Sequence, residues 1–481
     1  MNSLTIISVI VLYFIVLLII SFLTSKSNSN SAFFSGNKTS PWYLVAFGMI
    51  GTSLSGITFI SIPGWVGSTQ FSYMQMVMGY MLGYFIIATV LMPLYYKMNL
   101  TSIYGYFETR FGVRSYKTGA AYFLLSRTIG AAFRLYLVAM VLSNFVFKQW
   151  DIPFSIIVGI TILLIWLYTF RGGIRTIVFT DTLQTLFMLV GVGLVIFLIK
   201  EELQLSFAEL TNTISNSAYS KVFFFDDWNS KQHFIKQFSS GTFIAIVMTG
   251  MDQDMMQKNL SCKNINEAKK NMFWFSGILL VVNFVFLALG ALLYIYAQQK
   301  GIEIPDKTDQ LFPLIALEYL GPFAGIVFIL GLIAAAYSSA DSALTALTTS
   351  FCIDFLGVKK SQSIKKRYMV HIGFSILLFF TILIFESINN DAVISQLFKI
   401  AGYTYGPLLG LFSFGIIMKQ KVKDKYVPIV CILSPIICYI LSDNSIQWFN
   451  GYQFGFELLM LNGIITFFGL LIVSKKQSIK Q

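Results

Sequence analysis

Between residues 331 and 350 the chain reads GLIAAAYSSADSALTALTTS, an apolar run carrying Ser338, Ser339, Asp341, Ser342, Thr345 and Thr349. Positions 338, 341, 342, 345 and 349 stand three or four apart, so in a helix they share one face. A row of hard oxygen donors suits a small dehydrated cation. Inside a bilayer each donor would be costly without a partner. Further ionisable residues fall in apolar surroundings: Asp181, with Gln184 and Thr185 on its helical face, and Arg127 and Arg134, about two helical turns apart with Gly130 and Ala131 between them. Charges within a span are functional candidates by default, and each demands a partner.

The elements that must position these residues are membrane spans. The chain is 56% hydrophobic and 12% charged, with a mean hydropathy of +0.72. A span needs roughly 20 apolar residues. Thirteen candidates follow, at about 4–24, 41–66, 71–96, 119–147, 152–170, 175–199, 236–257, 272–297, 313–352, 369–387, 394–418, 426–442 and 453–474. The first is here the leader helix and the others are helices one to twelve.

Placing the N-terminus outside gathers most of the 34 Lys and Arg in loops on the cytoplasmic side, Lys258, Lys263, Lys269 and Lys270 among them. The net charge of +12 is then a topology signal and needs no nucleic acid. Cys262, Cys352, Cys431 and Cys438 show no metal-type pairing. Cys431 and Cys438 sit roughly 10 Å apart along one helix, too far for a disulfide, so buried free thiols are expected. The two histidines, His233 and His371, stand away from any ligand cluster. A metal centre or nucleophile–base pair of a membrane enzyme would need one.

The organisation expected is one transmembrane domain over 1–481, with a first repeat at about 41–199, a second at about 236–418 and two C-terminal helices at about 426–474. Helix one, FGMIGTSLSGITFISIPG (47–64), and helix six, FSSGTFIAIVMTGMDQD (238–254), are rich in glycine and hydroxyl residues. They stand five spans apart. Interrupted spans at matching places in two halves point to a transporter built as a five-plus-five inverted repeat. Carbonyls freed by a broken helix survive in a membrane where they line a site; close packing of small residues is the other reading. The segment 200–235, with FFFDDWN at 223–229, is expected to cap an entrance. SCKNINEAKKN (261–271) reads as a short cytoplasmic helix, and Asp252, Gln253, Asp254 and Gln257 as a solvated helix end.

RGGIRTIVFTDTLQT (171–185), the SSADS stripe, TSIYGYFETRFG (101–112) and AGYTYGPLLGLF (401–412) resemble signatures of the sodium/solute symporters, in order and over nearly the whole chain. SLSGITFISIP (53–63) and helix eight resemble the bacterial sialic acid branch of that family. The resemblance implies an all-α membrane protein with a LeuT-like core and Na⁺ as its coupling ion. It implies a core sodium site of the Gly51, Leu54 and Ala335 carbonyls with the Ser338 and Ser339 hydroxyls. Taken alone, those serines could equally be bonded back to their own helix. A second ion site would join Asp181 to Ser338, Asp341 and Ser342, where an aspartate stands in place of one family serine. Asp341 then holds a sodium ion or a proton, or bridges to Arg134.

The branch clamps its solute carboxylate with an arginine of helix three, and that place aligns with Gly130, about a turn from both Arg127 and Arg134. Either arginine could serve an anionic solute, or pair with Asp181 or Asp341. Ser53, Ser55 and Thr58 match solute-contacting positions. A family glutamine of helix two aligns with Val77, while Gln75 stands two residues away and Tyr73 completes the solute-facing set. Tyr403 and Tyr405 flank the glycines of helix ten and either gate the cavity or pack.

The function expected is sodium-coupled symport of a small polar solute: a sugar, a sugar acid such as sialic acid, or a carboxylate. The alternatives are a proton-coupled carrier of the same fold and a transporter-like sensor. The expected setting is the inner cell membrane, N-terminus outside and C-terminus cytoplasmic. A monomer would suffice, with solute, sodium and the lipid bilayer as partners.

Overall fold

The computed structural model describes residues 3–24, 29–170, 173–358, 364–388 and 393–475. Among the basic residues assigned to cytoplasmic loops, Lys26, Arg171, Lys359, Lys360, Lys476 and Lys480 lie outside the described residues. The described residues are nearly all helical, with one two-residue antiparallel ribbon among them joining Lys421–Val422 to Ser474–Lys475. Ten helices among the described residues are long and apolar enough to cross a membrane. They include the leader (Ile6–Thr24) and helices one (Trp42–Thr69), two (Tyr73–Lys97), three (Val113–Val146), five (Ile174–Glu202), seven (Ile265–Lys300) and eight (Gly321–Phe355). Phe154–Thr169 (helix four) and Leu458–Ile472 (helix twelve) are shorter apolar helices. The thirteen expected spans require these two to cross as well, together with the interrupted segment 234–260.

Helix one breaks at Ser55, where φ 35° and ψ 171° leave the helical region. A non-glycine residue at such a positive φ is strained, and such strain persists where the surroundings over-determine it. A break of this kind frees the last carbonyls before it from in-helix partners. Helix six breaks differently. Its first half, Phe234–Ala245, widens into a π turn at Ile246–Gly250. Met251 and Asp252 then leave the helix, and Asp252 caps the second half, Gln253–Leu260, accepting from the Asp254 and Met255 amides at 2.9 and 3.3 Å. The two breaks fall where the glycine-rich and hydroxyl-rich stretches predicted them.

Helix one packs between helices five and eight, and also against seven. The first half of helix six lies against helix two. There the small residues do pack closely: a Cβ at Gly241 would run into the Met76 carbonyl, and one at Gly79 into that of Phe238. The second half of helix six reaches helices one, five and eight.

Three expectations are corrected. The segment 261–271 is no separate helix: Asn264 caps helix seven, accepting from the Glu267 amide at 3.0 Å, and the helix runs on unbroken to Lys300. Glu, Ala and Lys propagate a helix well, and no Gly or Pro intervenes before the apolar stretch. The span expected over 313–352 is divided at Gly321, whose φ of 84° and following Pro322 start helix eight afresh. The supposed solvated end of helix six is buried, with Asp252, Gln253, Asp254 and Gln257 at most 2% exposed. Each finds a partner inside, Gln253 at the Ile103 amide and Gln257 at the Phe34 carbonyl.

Candidate functional site

The freed carbonyls of helix one face the hydroxyl stripe of helix eight. Ser339 Oγ donates across to the Thr52 carbonyl at 3.0 Å, with a longer contact of 3.4 Å to Ala335 O in its own helix. Ser338 Oγ stands 3.3 Å from Thr52 Oγ1. Gly51 is closely packed: its amide donates to Thr185 Oγ1 at 3.1 Å, and a Cβ there would come within 3.3 Å of Ser338 Oγ. Both serines are fully buried. The Gly51–Leu54 and Ala335–Ser339 segments therefore meet, and the serines point across the junction instead of serving their own helix alone.

Asp181, on helix five beside this junction, has a partner that the sequence did not suggest. Lys258, from the second half of helix six, places its Nζ 2.5 Å from Asp181 Oδ2 and also donates to Thr52 Oγ1. Both side chains are buried, at 1% and 0% exposure. Thr52 Oγ1 and Ser342 Oγ donate to the same carboxylate oxygen at 3.0 and 3.3 Å. Lys258 is thus no loop cation, which corrects its assignment to the cytoplasmic surface. Asp341 accepts from Tyr168 Oη at 2.9 Å and from the Ser342 amide at 2.5 Å. Of the alternatives open for Asp341, the bridge to Arg134 is not made.

The two arginines of helix three part ways. Arg127 forms an ion pair with Asp254, both buried, so neither Asp181 nor Asp341 is its partner. Arg134 is 5% exposed, and its Nε and Nη1 find no hydrogen-bond partner. Asp252 turns to other partners: Tyr405 donates to it at 2.6 Å, and its other carboxylate oxygen caps helix six. Tyr405 is thereby a strut between helices ten and six. Gly130, on the same face, leaves open room: a Cβ there would meet only Leu397, at an ordinary 3.6 Å.

Both arginines line an internal cavity of about 80 Å³ at the break of helix one. Ser53, Ser55 and Thr58 line it, as does Tyr73, whose hydroxyl pairs with that of Tyr80 at 3.1 Å. Gln75 does not. Its amide donates to Gln232 O at 2.9 Å and accepts from the Phe224 amide at 3.1 Å, which fixes the loop 221–232 over helix two. That loop, expected as a cap, is therefore held in place by a residue expected to hold solute. Gln75→Ala should lower the melting temperature, at about 1–3 kcal/mol for the orphaned amide, while leaving solute affinity within twofold in a binding titration.

A second, wider cavity of about 650 Å³ adjoins the first, with Lys231 and Lys399 on its wall. Tyr73 lines both. Between them lies an aromatic layer: Trp65 sits 6.3 Å from Tyr73 and 6.1 Å from Phe456, and Phe456 sits 4.9 Å from Phe398.

Thr249 of the hydroxyl-rich helix six also lines the inner cavity, as do Asn283, Tyr80 and Tyr84, which were not singled out from the sequence. Single polar residues on long apolar helices give little signal in one sequence. Asp254 and Lys258, four apart, would by spacing alone pair with each other, which hides their separate partners, Arg127 and Asp181. The ion pair of Asp254 with Arg127 yields a prediction. Arg127→Met should destabilise the protein by about 3–5 kcal/mol, because it leaves a buried carboxylate alone. The double variant with Asp254→Leu should recover much of that loss. Thermal unfolding of the single and double variants in detergent measures both.

The sequence profile of the sodium:solute symporter family matches residues 33–424. The chain belongs to this family. It is a sodium-coupled solute importer and a multi-pass membrane protein, not an enzyme. It is 24% identical over 466 residues to the sodium/sialic acid symporter NanT of Aliivibrio fischeri, covering 92% of this chain and 88% of that one. It is 27% identical over 426 residues to the sodium/sialic acid symporter SiaT of Proteus mirabilis, covering 84% and 82%. A solved structure of a Na⁺-coupled sialic acid symporter superposes with a TM-score of 0.83 at 22% identity, covering 98% of each chain. A nucleobase-cation-symport-1 family transporter superposes with a TM-score of 0.58 at 13% identity, covering 93% and 94%. These likenesses carry the fold expected from the two broken helices.

Proposed function

We propose that this symporter imports a small polyhydroxylated organic acid of the sialic acid class, seated in the inner cavity with its carboxylate on Arg134. The observation that carries this reading is the Arg134 guanidinium, buried and unpartnered beside a cavity lined by hydroxyls. A buried charge without a partner is strongly unfavourable. A carboxylate would complete it with two parallel hydrogen bonds, which arginine's planar fork favours. Ser53, Ser55, Thr58 and Tyr73 would serve the solute's hydroxyls. The names of the Aliivibrio and Proteus relatives support the same solute class.

The sodium ion would take the carbonyls of Gly51, Leu54 and Ala335 and the hydroxyls of Ser338 and Ser339. Five neutral oxygens suit a monovalent ion that must later leave. Binding there would pin the broken helix one against helix eight and so stabilise the solute-ready arrangement of Ser53 and Ser55. The segments 41–199 and 236–418 act as the two repeats of the core, rocking around this centre. The protein works as a monomer in the inner membrane, with the lysine-bearing vestibule facing outward and the C-terminus in the cytoplasm.

The test is thermal stability of the purified protein against a solute panel. Sialic acid with sodium should raise the melting temperature, by an amount that grows with ligand concentration. Sialic acid in potassium, or a neutral hexose with sodium, should not. A shift by the hexose alone would remove the anionic reading.

A further inference from the structure

Asp181, Thr52 and Ser342 converge on one point beside the core junction, and their oxygens are what a second sodium ion would use. A cation is already there. Lys258 Nζ lies 2.5 Å from Asp181 Oδ2 and donates to Thr52 Oγ1, with both charged side chains fully enclosed. Ser342 Oγ completes the set at 3.3 Å from the same carboxylate oxygen. We propose that the ammonium of Lys258 replaces a second coupling ion, so that this carrier takes one sodium ion per solute.

An ammonium is a compact monovalent cation with three donors on a flexible stem. It satisfies a carboxylate and a hydroxyl much as a bound metal ion would. Unlike an ion it is tethered, so it neither leaves with the solute nor draws on the sodium gradient. With its charge compensated, the Asp181 carboxylate offers a free ion little attraction, and the ammonium repels one. Lys258 also ties the second half of helix six to helices one and five, a linkage that a dissociating ion would supply only when bound. One turn earlier, Asp254 reaches helix three through Arg127, so adjacent turns of this half-helix anchor it on both sides.

The inference rests on the sodium reading of the core site, and the experiment separates the two. In proteoliposomes held at zero membrane potential, solute accumulation at equilibrium follows the sodium ratio raised to the number of coupled ions. A tenfold sodium gradient should give about tenfold accumulation in the wild type, where two ions would give about a hundredfold. For a monovalent acid, one sodium makes transport electroneutral, so imposing ~100 mV should leave accumulation unchanged; two ions would add roughly 50-fold. Lys258→Gln frees Asp181 for an ion, and its accumulation should rise toward a hundredfold.

Sodium titrated against the melting temperature, without solute, should fit one site in the wild type and two in Lys258→Gln. A wild-type hundredfold accumulation, or a folded Lys258→Gln that still couples one ion, overturns the proposal. The wild-type measurement decides even if the variant does not fold. Wild-type uptake indifferent to sodium would instead remove the core-site reading.

Discussion

Ser338→Ala/Ser339→Ala should abolish sodium-driven uptake while leaving a folded protein. Each serine would supply one hydroxyl to an ion otherwise held by three carbonyls. A hydrogen bond or dipole contact to a charged group contributes about 1.5–3 kcal/mol, so losing two weakens sodium binding by roughly 3–6 kcal/mol, on the order of a hundredfold to more than ten thousandfold. Folding should suffer less. The contacts at stake are Ser338 at 3.3 Å from Thr52 Oγ1, and Ser339 at 3.0 Å from the Thr52 carbonyl and 3.4 Å from that of Ala335. Alanine is moreover the better helix former. The pair of readings, sodium dependence of uptake and thermal midpoint without sodium, distinguishes a lost ion site from a collapsed helix junction. A variant that keeps wild-type sodium affinity would show that the junction packs and does not bind.

Arg134→Met is the second large effect, and its two consequences run in opposite directions. Truncating one member of a buried hydrogen-bonded charge pair costs about 2–5 kcal/mol of binding. Affinity for an acidic solute should therefore fall by roughly 30-fold to several thousandfold. Stability without solute should stay the same or rise, because the variant removes a buried charge that has no partner. Arg127→Met should do the reverse to stability, since Asp254 depends on it. Isothermal titration and thermal melts of the two variants, side by side, read both signs. Equal loss of affinity in both, with equal destabilisation, would mean that the arginines act together as packing.

Much of this was legible in the chain. Helices of membrane length follow the apolar runs, ten of them among the described residues long and apolar enough to cross, and the breaks in helices one and six follow glycine and hydroxyl residues clustered five spans apart. Ser55 carries the first break at φ 35°, and Asp252 caps the second. Of the stripe on helix eight, Ser338 faces Thr52 of helix one, while Asp341 meets Tyr168 of helix four and Ser342 meets Asp181 of helix five. What was not legible is which charge meets which. Asp181, Asp341, Arg127, Arg134, Asp254 and Lys258 lie on helices far apart in sequence, and periodicity fixes a face without fixing the neighbour across it.

Lys258 was misread because four lysines between 258 and 270 look like one cytoplasmic cluster. In the fold, the helix turn holding Lys258 lies inside, while Lys263 beyond the turn is exposed. Gln75 was misplaced by a similar ambiguity: a polar residue in a span faces either a cavity or a backbone that needs capping. Here the amide of Phe224 and the carbonyl of Gln232 took it.

The central claim is that a sodium ion at the helix one–helix eight junction drives an acidic solute into the cavity that Arg134 lines. Uptake of labelled sialic acid into proteoliposomes tests it most directly, with an inward sodium gradient in one arm and an inward proton gradient without sodium in the other. The account predicts concentrative uptake in the sodium arm only. Accumulation driven by protons and indifferent to sodium would contradict it, and would move the coupling from the carbonyls and serines of the junction to Asp181 and Asp341.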